Sequence, residues 1–430
     1  MKILMFTNTF TPHVGGVARS VTELAEGLRN GGDKVLIVAP DFSNMPEREE
    51  GVIRVAAVQN FAGSDFSVPL PLSRNLSSLI EDFDPDIIHS HHPFLLGDTA
   101  LRAASSLNVP VIFTHHTRYE LYGHYVAQDS ALLKRLALSL SLGYCDMCDG
   151  VIAPSQSIAA FLADHHVKAN IAVIPTGVVP AQFCNGDGLL IRKAQGIPEL
   201  AAIVGHVGRL APEKNLDYLS SALAVFLADH GDAHALIVGD GPSRAGMMQT
   251  LVAGGVAGRA HFTGVLRETK LADAYAAMDV FAFASFSETQ GLVLIEAMMA
   301  GVPVVALDAP GVREVVIDGR NGRLLDRDAD AAFLAAAIGE VTDALPEARS
   351  ALCEEARKTA DGFAIDKTVS RTRAFYLQTL RKQNLCGAGS DSLWLRAKRA
   401  LAREMDIIGN IAHAASDSVF PDSAKPGDNE

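Results

Sequence analysis

Short β-rich runs alternate with helical patterns along most of this chain, and they do so in two separate series. In the first series Lys2–Thr7, Lys34–Pro40, Asp86–His91, Val111–His116, Val151–Pro154 and Ile171–Pro175 read as strands. Helices are expected over Val17–Asn30, Asp98–Asn108, Ser130–Leu142 and Ser157–His166. The rhythm lapses in the loop-like stretch 176–195. It resumes with strands expected at Ala202–Gly208, Ala235–Gly239, Ala260–Thr263, Val280–Ala284, Val304–Leu307 and Arg323–Asp326. Alternation of this kind implies parallel strands joined by crossover helices. The fold class is therefore α/β, with two Rossmann-like, doubly wound domains facing each other across a cleft. Ligands of such sheets bind at the carboxyl ends of the strands, where the strand order reverses.

A chain of 430 residues is too long for one common core, which agrees with two domains. The expected division is 1–185, a first Rossmann-like domain, and 186–363, a second. A last helix within 364–382 returns toward the first domain, and 383–430 forms an extension ending in a polar, acidic tail. The formal charge of −13 argues against binding nucleic acid through a globally basic surface. No run approaches the roughly 20 apolar residues of a spanning helix, and the apolar start reads as a strand rather than a leader. Cys145 and Cys148 form a lone CxxC with no second pair, and read as buried thiols of a cytoplasmic protein.

The stretch SETQGLVLIEAMMAG, 287–301, places Glu288 in a strand-to-helix loop and Glu296 one to two turns into the helix that Gly291 and Leu292 open. A helix N-terminus carries unpaired amides and partial positive charge, which suit a phosphate. Glycine lets the backbone approach closely. The two carboxylates would repel a phosphate but accept hydrogen bonds from vicinal hydroxyls, as on a hexose and a ribose. Phosphates between two polyol rings describe a nucleotide sugar. Taken alone, the pair reads better as a solvated glutamate and a surface ion pair. GHVGRLAPEKN, 205–215, adds Arg209 and Lys214, cations without a nearby carboxylate excess that suit a diphosphate clamp. FTPHVGGVARS, 10–20, carries Gly15 and Gly16 in a second close-approach turn. It is not the dinucleotide fingerprint, so a dehydrogenase is not expected.

Gly-Gly-Val at 15–17, Gly-Arg-Leu-x-x-Glu-Lys-Asn at 208–215 and Glu-x7-Glu at 288–296 occur in one order. Together they resemble the retaining glycosyltransferases of family four, which have the GT-B fold, over roughly residues 1–380. That resemblance implies roles. Glu288 bonds the donor sugar, Glu296 holds the ribose, Arg209 and Lys214 bind the diphosphate, and Gly16 approaches it. His116, in FTHHTRYELYGHY at 113–125, is implied nearest the reacting carbon. Gln290 stands where many relatives carry Phe, which leaves sugar identity more open. No metal or cofactor is implied, since basic residues and helix dipoles take a metal's place. A metal site built from His89, His91, His92, His115, His116 and His124 is the competing reading of the histidines.

The implied activity is transfer of a hexose from a nucleotide-diphosphate sugar to an acceptor hydroxyl, with retention of anomeric configuration. The departing phosphate takes the acceptor's proton. The neighbourhood of His116 looks most like that of diacylglycerol glucosyltransferases and phosphatidylinositol mannosyltransferases, so a lipid acceptor at the inner face of a membrane is the expectation. The stretch 392–414 adds a basic amphipathic helix. Trp394, Ala397, Leu401, Met405 and Ile408 lie on one face, with Arg396, Arg399 and Arg403 opposite. Both a membrane anchor and packing against protein fit it. The alternatives are a nucleotide-sugar epimerase of the same architecture, or transfer to a soluble or polysaccharide-precursor acceptor.

Overall fold

The computed structural model describes residues 1–13, 15–42, 45, 49–58, 68–69, 76–119, 130–386 and 393–419. His124 and the acidic tail from 422 onward lie outside the described residues, as do the side chains of Trp394 and Arg396. The chain forms two units, one of Met1–Pro175 together with the chain from Thr368, the other of Thr176–Lys367.

In the first unit the order is β1 (Lys2–Phe6), α1 (Gly16–Asn30), β2 (Lys34–Pro40), β3 (Val52–Val55), β4 (Ala57–Val58), β5 (Val68–Pro69), α2 (Leu76–Phe83), β6 (Ile87–Ser90), α3 (Leu96–Leu107), β7 (Val111–Thr114), α4 (Ala131–Asp146), β8 (Gly150–Ala153), α5 (Gln156–Asp164) and β9 (Ile171–Val173). Its main sheet has the order β3-β2-β1-β6-β7-β8-β9 and is parallel throughout. Strands such as β6 and β7 are buried at every position because helices cover both faces of a parallel sheet. Side chains alternate between faces: Leu4 and Phe6 of β1 enter one apolar cluster, Ile3 and Met5 the other.

The second unit runs α6 (Gly188–Gln195), β10 (Ile203–Val207), α7 (Leu216–Asp229), β11 (His234–Val238), α8 (Arg244–Ala253), β12 (Ala260–Gly264), α9 (Glu268–Ala277), β13 (Val280–Phe283), α10 (Leu292–Met299), β14 (Val304–Leu307), β15 (Gly322–Leu325), α11 (Ala331–Thr342) and α12 (Pro346–Asp361). Its sheet, β12-β11-β10-β13-β14-β15, is also parallel. The order reverses between β10 and β13, so the loops after these two strands flank the switch point where α/β sheets bind ligands.

The boundary expected at 185/186 falls earlier, at Pro175–Thr176. Val178 bridges to Ala364 there, and Phe183 is buried against Tyr275 in the second core. The return helix is α13 (Ile365–Cys386). Its start belongs to the second unit, where the Ile365 N–H donates to Val178 O at 2.9 Å. From Thr368, whose hydroxyl donates to Pro175 O at 2.8 Å, it belongs to the first, and Phe375 and Tyr376 complete that unit's core.

The extension forms α14 (Leu393–Val419), seated on α3 and α4. It turns Arg399 and Arg403 toward them. Arg399 donates to Ser105 O in the last turn of α3 at 3.2 Å, and Arg403 to Met147 O at the end of α4 at 3.0 Å. Carbonyls at helix ends lack intrahelical donors and carry partial negative charge, so guanidinium groups satisfy them. Arg102 and Glu404 add an ion pair at 2.5 Å. Among the described side chains of α14, Ile407 and Ala414 are the buried apolar ones, while Leu401, Met405, Ile408 and Ile411 are more than half exposed. Among the described residues no helix is long and apolar enough to cross a membrane.

Candidate active site

The loop after β10 is held by backbone contact with the loop after β11. The Gly208 N–H donates to Val238 O at 3.0 Å, and the Leu210 N–H to Asp240 O at 2.9 Å. A Cβ on Gly239 would lie 1.8 Å from Gly208 O, and the Gly239 φ is +136°, so only glycine permits this approach. The loop after β13 is tied to the same segment. Ser287 Oγ donates to Glu213 O at 3.2 Å, and Asn215 Nδ2 to Ala284 O at 3.2 Å.

These ties bring Lys214 and Glu288 together as an ion pair, with side chains only 16% and 17% exposed. Burial alone would raise the Glu288 pKa, but the Lys214 charge and hydrogen bonds from Lys214 and Ser285 hold it below the usual carboxylate range. Arg209 pairs with Glu213, four positions on. Each of the two cations thus has one carboxylate partner. Glu213 stands in the Gly-Arg-Leu-x-x-Glu-Lys-Asn stretch, but the sequence alone assigns it no role, since Arg209 lies in a loop where helical spacing does not apply.

Gly291 takes a left-handed φ of +78° and opens α10 with Leu292. Glu296 is buried on α10, and its Oε2 accepts the Tyr275 hydroxyl at 2.8 Å. Gln290 is bonded to the backbone of Thr176. Its amide donates to Thr176 O at 2.9 Å and accepts the Thr176 N–H at 2.6 Å, which spends the side chain on the backbone.

Gly15, Gly16 and His116 belong to the first unit. Gly15 caps α1 at φ −173°, an extended conformation open to any residue, so what it leaves is space beside His13. His116 Nε2 lies 2.9 Å from His91 Nδ1, with the rings stacked. Burial, then neighbouring histidines, holds both far below the usual imidazole range, so the pair shares one neutral N–H···N bond. His89 bonds Tyr376 Oη of α13 at 2.6 Å and Thr114 Oγ1 at 2.7 Å. His92 Nδ1 accepts the Asn8 N–H at 3.0 Å, and His115 Nε2 lies 3.3 Å from Ser141 Oγ. Among the described residues no three His, Cys, Asp or Glu converge on a metal position. Cys145 and Cys148 are buried, unbridged thiols whose pKa burial drives upward.

Two family models match the chain: "Glycosyltransferase Family 4" over residues 14–182 and "Glycosyl transferases group 1" over 201–343. The chain is 30% identical to the alpha-monoglucosyldiacylglycerol synthase of Streptococcus pneumoniae, over 89% of this chain and 87% of that one. It is 35% identical to a GDP-mannose-dependent alpha-mannosyltransferase of Mycolicibacterium smegmatis, over 79% of this chain and 88% of that one. The solved structure of a sucrose-phosphate synthase from Thermosynechococcus elongatus superposes with a TM-score of 0.71 at 24% identity, covering 89% of this chain and 99% of its own. With two parallel Rossmann-like sheets, and the Lys214–Glu288 pair at the switch point of the second, the chain belongs to the family 4 glycosyltransferases and is a hexosyltransferase of the GT-B fold.

Proposed function

We propose that the enzyme transfers a hexose, with retention at the anomeric carbon, from a nucleoside-diphosphate sugar to a lipid hydroxyl at a membrane surface. The observation that carries the donor half is the buried Lys214–Glu288 pair beside the Gly291 turn. A cation, a carboxylate and a helix N-terminus answer to a diphosphate joined to a hydroxylated ring. In this reading the ammonium of Lys214 and the guanidinium of Arg209 stabilise the departing diphosphate, and they take the place of a metal ion. Glu288 accepts hexose hydroxyls, and Glu296, with Tyr275 behind it, accepts those of the ribose. The leaving diphosphate takes the proton of the incoming hydroxyl on the same face.

The acceptor half is supported by the exposed row Leu401, Met405, Ile408 and Ile411 on α14, and by the diacylglycerol in the name of the pneumococcal relative. The test is a panel of UDP- and GDP-hexoses against diacylglycerol, phosphatidylinositol and soluble polyols, read as nucleoside diphosphate release. Glycolipid is expected from one lipid acceptor, and the rate is expected to survive EDTA. Release of an epimerised donor without acceptor, or turnover only with soluble polyols, ends the reading.

A second expected outcome concerns α14 itself. The variant Leu401→Ser, Met405→Ser, Ile408→Ser loses flotation with phosphatidylglycerol vesicles, while transfer to a detergent-dispersed acceptor is unchanged. Undiminished flotation contradicts the role given to this face.

A further inference from the structure

His206 lies on β10, two residues before Gly208, and none of the roles above involves it. Its ring is 1% exposed and stacks with Phe281 and Phe283 of the neighbouring β13 at centroid distances of 6.1 and 6.2 Å. Nδ1 lies 3.2 Å from Ala282 O. A carbonyl only accepts, so Nδ1 carries the proton and Nε2 is left as a bare lone pair. That Nε2 is buried and has no hydrogen-bond partner among the described residues. It sits under the turn that carries Arg209: a Cβ added at Gly208 would meet it at 3.7 Å. A buried acceptor left unsatisfied is costly, and the contacts with Phe281 and Phe283 hold the ring in place.

A neutral imidazole nitrogen cannot bond a phosphate oxygen, since neither brings a proton. It needs a donor. The ammonium of Lys214 has three N–H groups, and its charge, with that of Glu288, acts on this ring. We infer that His206 is a positioning residue of the donor site, its Nε2 accepting an N–H of Lys214 when that ammonium turns from Glu288 to the diphosphate. The inference rests on the nucleotide-sugar reading above. Burial supports it: it pushes the His206 pKa down to about 4, so near neutral pH the ring is uncharged and does not repel the lysine. In the free enzyme Glu288 holds Lys214. In the complex the carboxylate turns to sugar hydroxyls, and His206 keeps the amine from following it.

The test is binding of UDP, GDP and the corresponding hexose nucleotides by calorimetry, together with steady-state kinetics. His206→Phe keeps an aromatic ring against Phe281 and Phe283 but removes the acceptor. It is expected to bind diphosphate and nucleotide sugar alike about tenfold more weakly, the size of one hydrogen bond to a charged group. His206→Gln, whose amide oxygen reaches the Nε2 position, restores most of this. In a Lys214→Met background His206→Phe costs nothing further, because the residue acts through the lysine. Wild-type affinity in His206→Phe overturns the inference. So does equal weakness in the Phe and Gln variants, which would mean packing, or weakness confined to hexose nucleotides, which would mean contact with the sugar. If the wild-type enzyme binds neither UDP nor GDP in any form, the reading of the site fails first and takes this inference with it.

Discussion

Lys214→Met is expected to lower kcat/KM for the nucleotide sugar by about a thousandfold, comparable to removing a principal charge stabiliser from a transition state. The loss has two sources that a second measurement separates. One is chemical: the departing diphosphate loses its nearest ammonium. The other is structural: Glu288 stays buried without its counter-ion, a change that costs about 3 kcal/mol when both partners are largely enclosed. The pH dependence of stability tells them apart. In the wild type the Glu288 pKa is held below its ordinary 4.5, so the pair's contribution is present above that value and lost as pH falls through the folded pKa. Without Lys214, burial dominates and raises the pKa, so the variant gains stability as pH falls through the acid range. Adding Glu288→Gln removes the stranded charge and restores the melting temperature, but not turnover. Recovery of activity in the double variant, or a single variant with wild-type turnover, contradicts the assignment.

Gly239→Ala is expected to damage both fold and site through one atom. The new Cβ would lie 1.8 Å from Gly208 O at a φ of +136°, so the steric conflict is with backbone and cannot be relieved by a rotamer. Destabilisation of about 3 kcal/mol follows, which lowers the second unit's melting transition by about 6–12 °C. The strand-to-loop junction that moves is the one carrying Arg209. Misplacing a substrate-holding group by about 1 Å costs roughly a hundredfold in rate, so kcat/KM falls even well below the melting transition. Gly231→Ala, whose Cβ would meet nothing within 4 Å, is the control. Equal melting curves for the two variants contradict the argument.

The architecture was legible because a strand covered on both faces has an unbroken apolar run. Val280–Phe283 and Val304–Leu307 show it directly, and alternation with helices leaves only the parallel order. The strand Val52–Val55 escaped notice because Arg54 interrupts it at the sheet edge, where its guanidinium reaches Pro40 O and Glu49. Individual site residues were legible by type but not by partner. Lys214 and Glu288 lie 74 positions apart, and only the neighbouring placement of β10 and β13 joins them. The His91–His116 bond likewise depends on β6 lying next to β7. His206 was read as one more strand residue, since its distinctiveness lies in what Nε2 fails to touch. The faces of α14 followed from helical spacing. Which face turns inward did not, because that depends on free carbonyls at the ends of α3 and α4.

The crossing of α13 has a consequence for synthesis. The ribosome delivers residues 1–175 first, yet Phe375 and Tyr376 of their core emerge only after the whole of the second unit. Domains generally mature in the order they are made. Here the later one closes first, and the nascent amino-terminal sheet must wait with an apolar seat open and the buried His89 lacking its tyrosine. A ribosome paused anywhere between positions 176 and 367 therefore carries a first sheet with every strand made but the seat for α13 uncovered, and that is the interval in which a chaperone has most to guard.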